Sequence, residues 1–185
     1  RSGTERLMYA LIVILVATMA AWLMALILHL QPVDFLKISL PVGAWILLRL
    51  ITSFCGVFGF SIMFNSPVRL AATAAGIGAI ANTLRLEMVD MTAIPPAGAA
   101  FVGALTAGIL ASLIKSKVGY PRISLTVPSI VIMVPGMYLY RGFYNLGIMS
   151  LGPAASWFAS AILIIAALPL GLIFARILTD RTFRY

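Results

Sequence analysis

Carboxylates are the scarcest functional groups in this chain: five Asp and Glu among 185 residues, against thirteen Lys and Arg. Glu5, Asp34, Glu87, Asp90 and Asp180 all stand at or near the ends of apolar runs, none well inside one. Proton-driven carriers commonly hold buried carboxylates or histidine. Proton coupling here would have to run through the single His29, through these rim acids, or through another polypeptide. The single cysteine, Cys55, excludes a disulfide framework and a Cys-based metal site. There is no HExxH pair, Walker loop or GxSxG elbow. The chain therefore reads as no enzyme, and it implies no metal or other cofactor.

What the sequence has instead is apolar length. Hydrophobic residues make up 62% and charged residues 10%, and the mean hydropathy is +1.09, far from a soluble composition of about half apolar and a quarter charged. A net charge of +8 would suggest nucleic acid in a soluble protein. Here the basic residues flank apolar segments, as expected for a chain whose partner is an anionic bilayer.

Six apolar runs cover approximately Leu7–Leu30, Leu40–Phe64, Val68–Leu86, Pro95–Ile114, Leu125–Leu139 and Ala154–Ile177. Most approach the roughly 20 residues that cross a bilayer as helix. The predicted fold is all-α, a polytopic membrane bundle of five to six segments forming a single transmembrane domain over 1–185. The first run exceeds the 7–15 residues usual for a signal-peptide core. Turn chemistry separates the runs: Gln31-Pro32, Asn65-Ser66-Pro67, Pro95-Pro96 and Gly119-Tyr120-Pro121. Ser66-Pro67 predicts a third helix with Pro67 at its first position, and Glu87 and Asp90 read as loop charges beyond that helix. If all six runs cross with the N-terminus inside, Arg1, Arg6, Arg69, Lys115, Lys117, Arg122, Arg176, Arg181 and Arg184 fall on the cytoplasmic side. Lys37, Arg85 and Arg141 fall outside. That excess predicts cytoplasmic N- and C-termini.

The fifth run is interrupted by Pro128, Pro135 and Gly136 and closes with Tyr138, Tyr140, Arg141, Tyr144 and Asn145. Proline removes a backbone donor and clashes with the preceding turn, and freed backbone groups in a bilayer need protein or a water-lined cavity. The segment is either a broken span or a re-entrant hairpin, broken at Pro135-Gly136, and such breaks recur at transporter substrate sites. Small residues recur every fourth position at Ala71, Ala75 and Ala79, at Ala99, Gly103, Ala107 and Ala111, and at Ala155, Ala159, Ala167, Gly171 and Ala175. Such faces pack helices closely in lipid, within the chain or against a partner or second copy. Arg49 sits about seven residues into the second run. It either faces a bundle interior, where its fork suits a substrate carboxylate, or snorkels to the nearby interface. Asn65, Arg69, Asn82 and Arg85 form a further polar set at the ends of the third run.

Phe64-Asn65-Ser66-Pro67-Val68-Arg69 before the glycine-bearing third run, and Val134-Pro135-Gly136 before Tyr140-Arg141-Gly142, resemble the threonine/serine exporter family. The resemblance spans roughly residues 40–177 and is to that family's second membrane domain, which occurs fused to a first domain or as a separate small subunit. The run at Leu7–Leu30 departs from the shortest subunits. The resemblance implies export of threonine, serine or small dicarboxylates such as succinate across the bacterial plasma (inner) membrane, in fused members with the proton gradient. It implies a first-domain partner, and the family's motifs map here to Asn65, Pro67, Arg69, Pro135, Gly136, Tyr140 and Arg141; the expected substrate-binding or translocation residues are Asn65, Arg69, Pro135, Gly136, Tyr140 and Arg141 of these, together with Arg49. The competing expectation is a non-transporting scaffold that packs through its small-residue faces.

Overall fold

The computed structural model describes residues 3–29 and 40–180. Seven helices and no strand occur among them: α1 (Gly3–Ile27), α2 (Val42–Met63), α3 (Val68–Met91), α4 (Pro96–Val118), α5 (Arg122–Val131), α6 (Gly136–Gly147) and α7 (Leu151–Thr179). The expectations for Arg1, Gln31-Pro32, Asp34, Lys37, Arg181 and Arg184 lie outside the described residues. The fold is the expected polytopic helical bundle. Helices α1, α2, α4 and α7 are long and apolar enough to span a bilayer, and the interrupted pair α5 and α6 is a fifth candidate. The third run folds as α3, 24 residues long, yet α3 is not among those spanning candidates.

The turns follow from local chemistry. Asn65 ends α2 in the left-handed region at φ 57, a conformation that asparagine tolerates better than most residues. Its N–H bonds the Ile62 carbonyl at 2.9 Å and the Ser66 N–H bonds the Ser61 carbonyl at 3.0 Å, closing a Schellman turn. Pro67 stands at the N-cap of α3, one position before the expected one. Gly119, at φ 75, ends α4, and Pro121 caps α5. Helix α3 continues to Met91, so Glu87 and Asp90 are helical residues and not the loop charges expected from sequence.

Two compact units divide the chain. The larger takes α2 to α5 and the second part of α7; the smaller takes α1, α6 and the first part of α7. In the larger unit, α3 packs against α2, α4 and α5. Its face Ala71, Ala74, Ala75 and Ala81 is fully buried, as are Ala99, Ala104, Ala107 and Ala111 of α4. The approach is close enough that a Cβ on Gly78 would stand 2.8 Å from the Ser129 carbonyl oxygen, and one on Gly171 would stand 2.5 Å from the Phe101 carbonyl oxygen. The stripe expected on α7 holds at Ala167, Gly171 and Ala175 but not at Ala155 and Ala159, which are exposed. Arg122 reaches the Leu172 carbonyl and the Thr179 hydroxyl, both at 3.4 Å. An apolar groove of about 400 Å³ lined by Ser66, Leu70, Ile123 and Val127 joins the start of α3 to the start of α5.

The smaller unit is aromatic. Helix α1 packs on α6, with Trp22 set against Gly147, where a Cβ would stand 2.3 Å from the indole. Phe158 meets Phe143 edge-on at 5.0 Å and lies against Gly142, whose Cβ would approach its ring to 2.9 Å.

Candidate functional site

In the larger unit, α2 and α3 run antiparallel through the short Asn65–Pro67 turn, which brings Arg49 of α2 beside the last turns of α3. Arg49 Nη1 donates to Glu87 Oε1 at 2.7 Å, and Nη2 donates to the Asp90 carboxylate. The Arg49 and Glu87 side chains are each 17% exposed and that of Asp90 is 55%. The Trp45 ring, one turn earlier on α2, lies 5.4 Å from the guanidinium carbon, a distance at which the ring quadrupole attracts the cation. The Arg49 guanidinium thus engages the last turns of α3 through both carboxylates.

A line of buried polar groups continues along α3. Asn82, 5% exposed, donates from Nδ2 to Ser53 Oγ at 2.9 Å. Its Oδ1 and the neighbouring Thr83 hydroxyl are buried with no hydrogen-bond partner, an arrangement that costs free energy in an apolar setting. Arg85 Nη1 donates to the Met133 carbonyl at 3.2 Å. That carbonyl belongs to the two tight turns that end α5, in which Met133 and Val134 donate back to Ile130 and Val131. The C-terminal end of a helix carries partial negative charge, and Arg85 meets it at the break. Pro128 does not break α5. Instead, the Ser129 hydroxyl lies 2.6 Å from the Leu125 carbonyl and 2.9 Å from the Ala74 carbonyl of α3, serving one of them at a time.

The sequence-predicted residues of the larger unit do not form one cluster. Asn65 and Arg69 are exposed at the turn end of the α2–α3 hairpin, and Asn65 stands 16 residues from Arg49 along the chain. That separation is about 24 Å at about 1.5 Å per helical residue. Asn65 has a turn to hold, and Arg69 accepts at its carbonyl from the Thr73 hydroxyl at 2.7 Å. Ser53 and Ser129, whose bonds tie α3 to its neighbours, carried no pattern beyond a hydroxyl in an apolar run.

In the smaller unit, Pro135 is the N-cap of α6 and buried, while Gly136 opens the helix exposed, with open space where a Cβ would stand. Tyr138 and Arg141, three apart on one face, both address Trp157 of α7. Tyr138 meets its ring edge-on at 5.5 Å, and the Arg141 guanidinium carbon lies 4.9 Å from its centroid. Tyr140 and Tyr144 pair at 6.5 Å, and Asn145 Nδ2 donates to the Arg141 carbonyl at 2.8 Å.

No group of three or more His, Cys, Asp or Glu able to hold a metal occurs among the described residues. Compared with known proteins, residues 49–178 match the family described as Threonine/Serine exporter, ThrE. No curated protein and no solved structure matches the chain.

Proposed function

The chain belongs to the threonine/serine exporter family, transporters rather than enzymes, and from that premise we propose that it is one half, or one subunit, of a secondary exporter. Its substrates are threonine and serine or small dicarboxylates such as succinate, and the driving force is the proton gradient of the bacterial inner membrane. The observation that carries this reading is the family match over 49–178, which takes in every motif residue from Asn65 to Arg141 and Arg49 besides. A first-domain half, fused or separate, completes the path. The multi-pass helical fold supplies the bilayer-spanning scaffold, and the termini face the cytoplasm. In support of a cytoplasmic C-terminus, Lys115, Lys117, Arg122 and Arg176 stand at the ends of α4, α5 and α7 that the Arg122, Thr179 and Ser112 contacts draw together.

In this reading the break between α5 and α6 forms part of the path. Arg141 or Arg49 addresses the substrate carboxylate, for which a guanidinium fork is suited. Tyr140, Pro135 and Gly136 are the further translocation residues proposed in the smaller unit, and Asn65 and Arg69 those proposed in the larger. The scaffold alternative drew on the small-residue faces. Those of α3 and α4 are covered within the larger unit itself, so they offer no surface to a partner.

Uptake of labelled threonine, serine and succinate into inverted vesicles, with the chain alone and with its first-domain partner, tests the proposal. Gradient-dependent uptake is expected when both halves are present. Arg141→Gln should abolish it while leaving membrane expression intact; transport retained at the wild-type rate would remove Arg141 from the path.

A further inference from the structure

A guanidinium fork fits a single planar carboxylate through two parallel N–H···O bonds. In Arg49 the fork is divided instead: one arm holds Glu87 and the other holds Asp90. The two carboxylates are not equivalent. Glu87 lies at the 2.7 Å contact with its side chain 17% exposed, whereas the Asp90 side chain is 55% exposed. Asp90 is also the penultimate residue of α3, which ends at Met91, and helix ends fray more readily than helix interiors. Asp90, 55% exposed, is well solvated by water once it separates, so this arm of the pair gains little. The Asp90 arm can thus be released at small cost. Glu87 and the Trp45 ring, 5.4 Å from the guanidinium carbon, keep Arg49 in place meanwhile.

We propose that Asp90 occupies on Arg49 the place of a ligand carboxylate, so that binding exchanges one carboxylate for another. The ligand class is a small carboxylic acid, an amino acid or a dicarboxylate. Its carboxylate takes the Nη2 arm, Asp90 swings into water, and Glu87 retains Nη1. No covalent bond changes and no proton need move. The exchange makes Asp90 an internal competitor that keeps Arg49 charge-compensated while the site is empty, and it sets the affinity below what Arg49 alone would give. The inference rests on the reading of Arg49 as a substrate residue.

The test is calorimetric binding of threonine, serine, succinate and threonine amide to the purified full-length chain in detergent. Asp90→Asn should bind threonine or succinate more tightly by up to about fivefold, the scale of an ion pair with one well-exposed partner. Threonine amide, which lacks the carboxylate, should show no such gain, and Arg49→Gln should lose carboxylate binding. Asp90→Ser serves as a second variant against an Asn-specific folding defect. Unchanged or weaker binding by both Asp90 variants, an equal gain for the amide, undiminished binding by Arg49→Gln, or no binding of any probe by the wild type would each overturn the proposal. Vesicle transport separates the two levels. Transport that persists while these binding results fail leaves the exporter reading standing and removes only the exchange; absent transport with both halves present removes the exporter reading itself.

Discussion

Helices α1 and α3 are almost equal in length, 25 and 24 residues, and opposite in character. Helix α1 is built from Leu, Ile, Val and Met and is the more apolar by far, yet Ala25 is its one buried residue. Helix α3 carries Arg69, Arg85, Glu87 and Asp90, falls short of a spanning composition, and buries ten residues against three neighbouring helices. In water the apolar helix would be the core and the charged one the surface. In a bilayer lipid tails are as apolar as leucine, so hydropathy gives helices no reason to associate and small side chains decide which backbones approach. Between these two helices, apolar bulk marks the exposed surface, and Ala, Gly and small polar groups mark the interior.

Substitutions on the two helices can break that contrast. The largest expected effect is Gly78→Leu on α3. Its Cβ alone would stand 2.8 Å from the Ser129 backbone oxygen and from Val57 Cγ2, so α3 and α5 must separate, at a cost of about 3 kcal/mol or more. Failure to recover a monodisperse protein in detergent, or a deep fall in the thermal midpoint, would record it.

Next comes one substitution made twice. Ile77→Ala on α3, where the side chain is 2% exposed, should cost about 2 kcal/mol, the low end for such a change because the alternative environment is lipid rather than water. Ile12→Ala on α1, at 57% exposure, should stay within about 0.5 kcal/mol. Their exposures come from one structure, so equal melting shifts for the pair would refute the contrast directly. The smallest effect is Gly76→Ala, two residues from Gly78 but with open space at the Cβ position. It should stabilise by about 0.5 kcal/mol through helix propensity, and a loss of stability would show that α3 is packed on that side as well.

Much of the bundle was legible from its runs and punctuation. Prolines and glycines at Asn65–Pro67, Pro95-Pro96 and Gly119–Pro121 bound the helices where the backbone lacks a donor or needs a left-handed residue. The interruption before Pro135-Gly136 is present, and the small-residue stripes of α3 and α4 are buried as their spacing implied. The end of α3 was misread because a charge next to an apolar run looks like a loop until its partner is known. Arg49 lies 38 residues from Glu87 and 41 from Asp90, and no local pattern links them. The α7 stripe failed at Ala155 and Ala159 for a related reason: small residues permit close packing, but a neighbour must be there to use them.

The sequence by itself determined that this is a helical membrane protein, roughly where each helix starts and stops, and through its motifs the family to which it belongs. Those properties depend on composition, on backbone chemistry at proline, glycine and asparagine, and on short ordered runs, all of which are local. Only the tertiary structure decided that Arg49 is already engaged by two carboxylates, that Arg85 meets the freed carbonyl of Met133, and that Asn82 and Thr83 keep unpartnered polar atoms in the interior. Each is a pairing, or a missing pairing, between groups far apart in the chain. The free energy of a charge or an amide in a bilayer depends on its neighbours far more than on its place in the sequence.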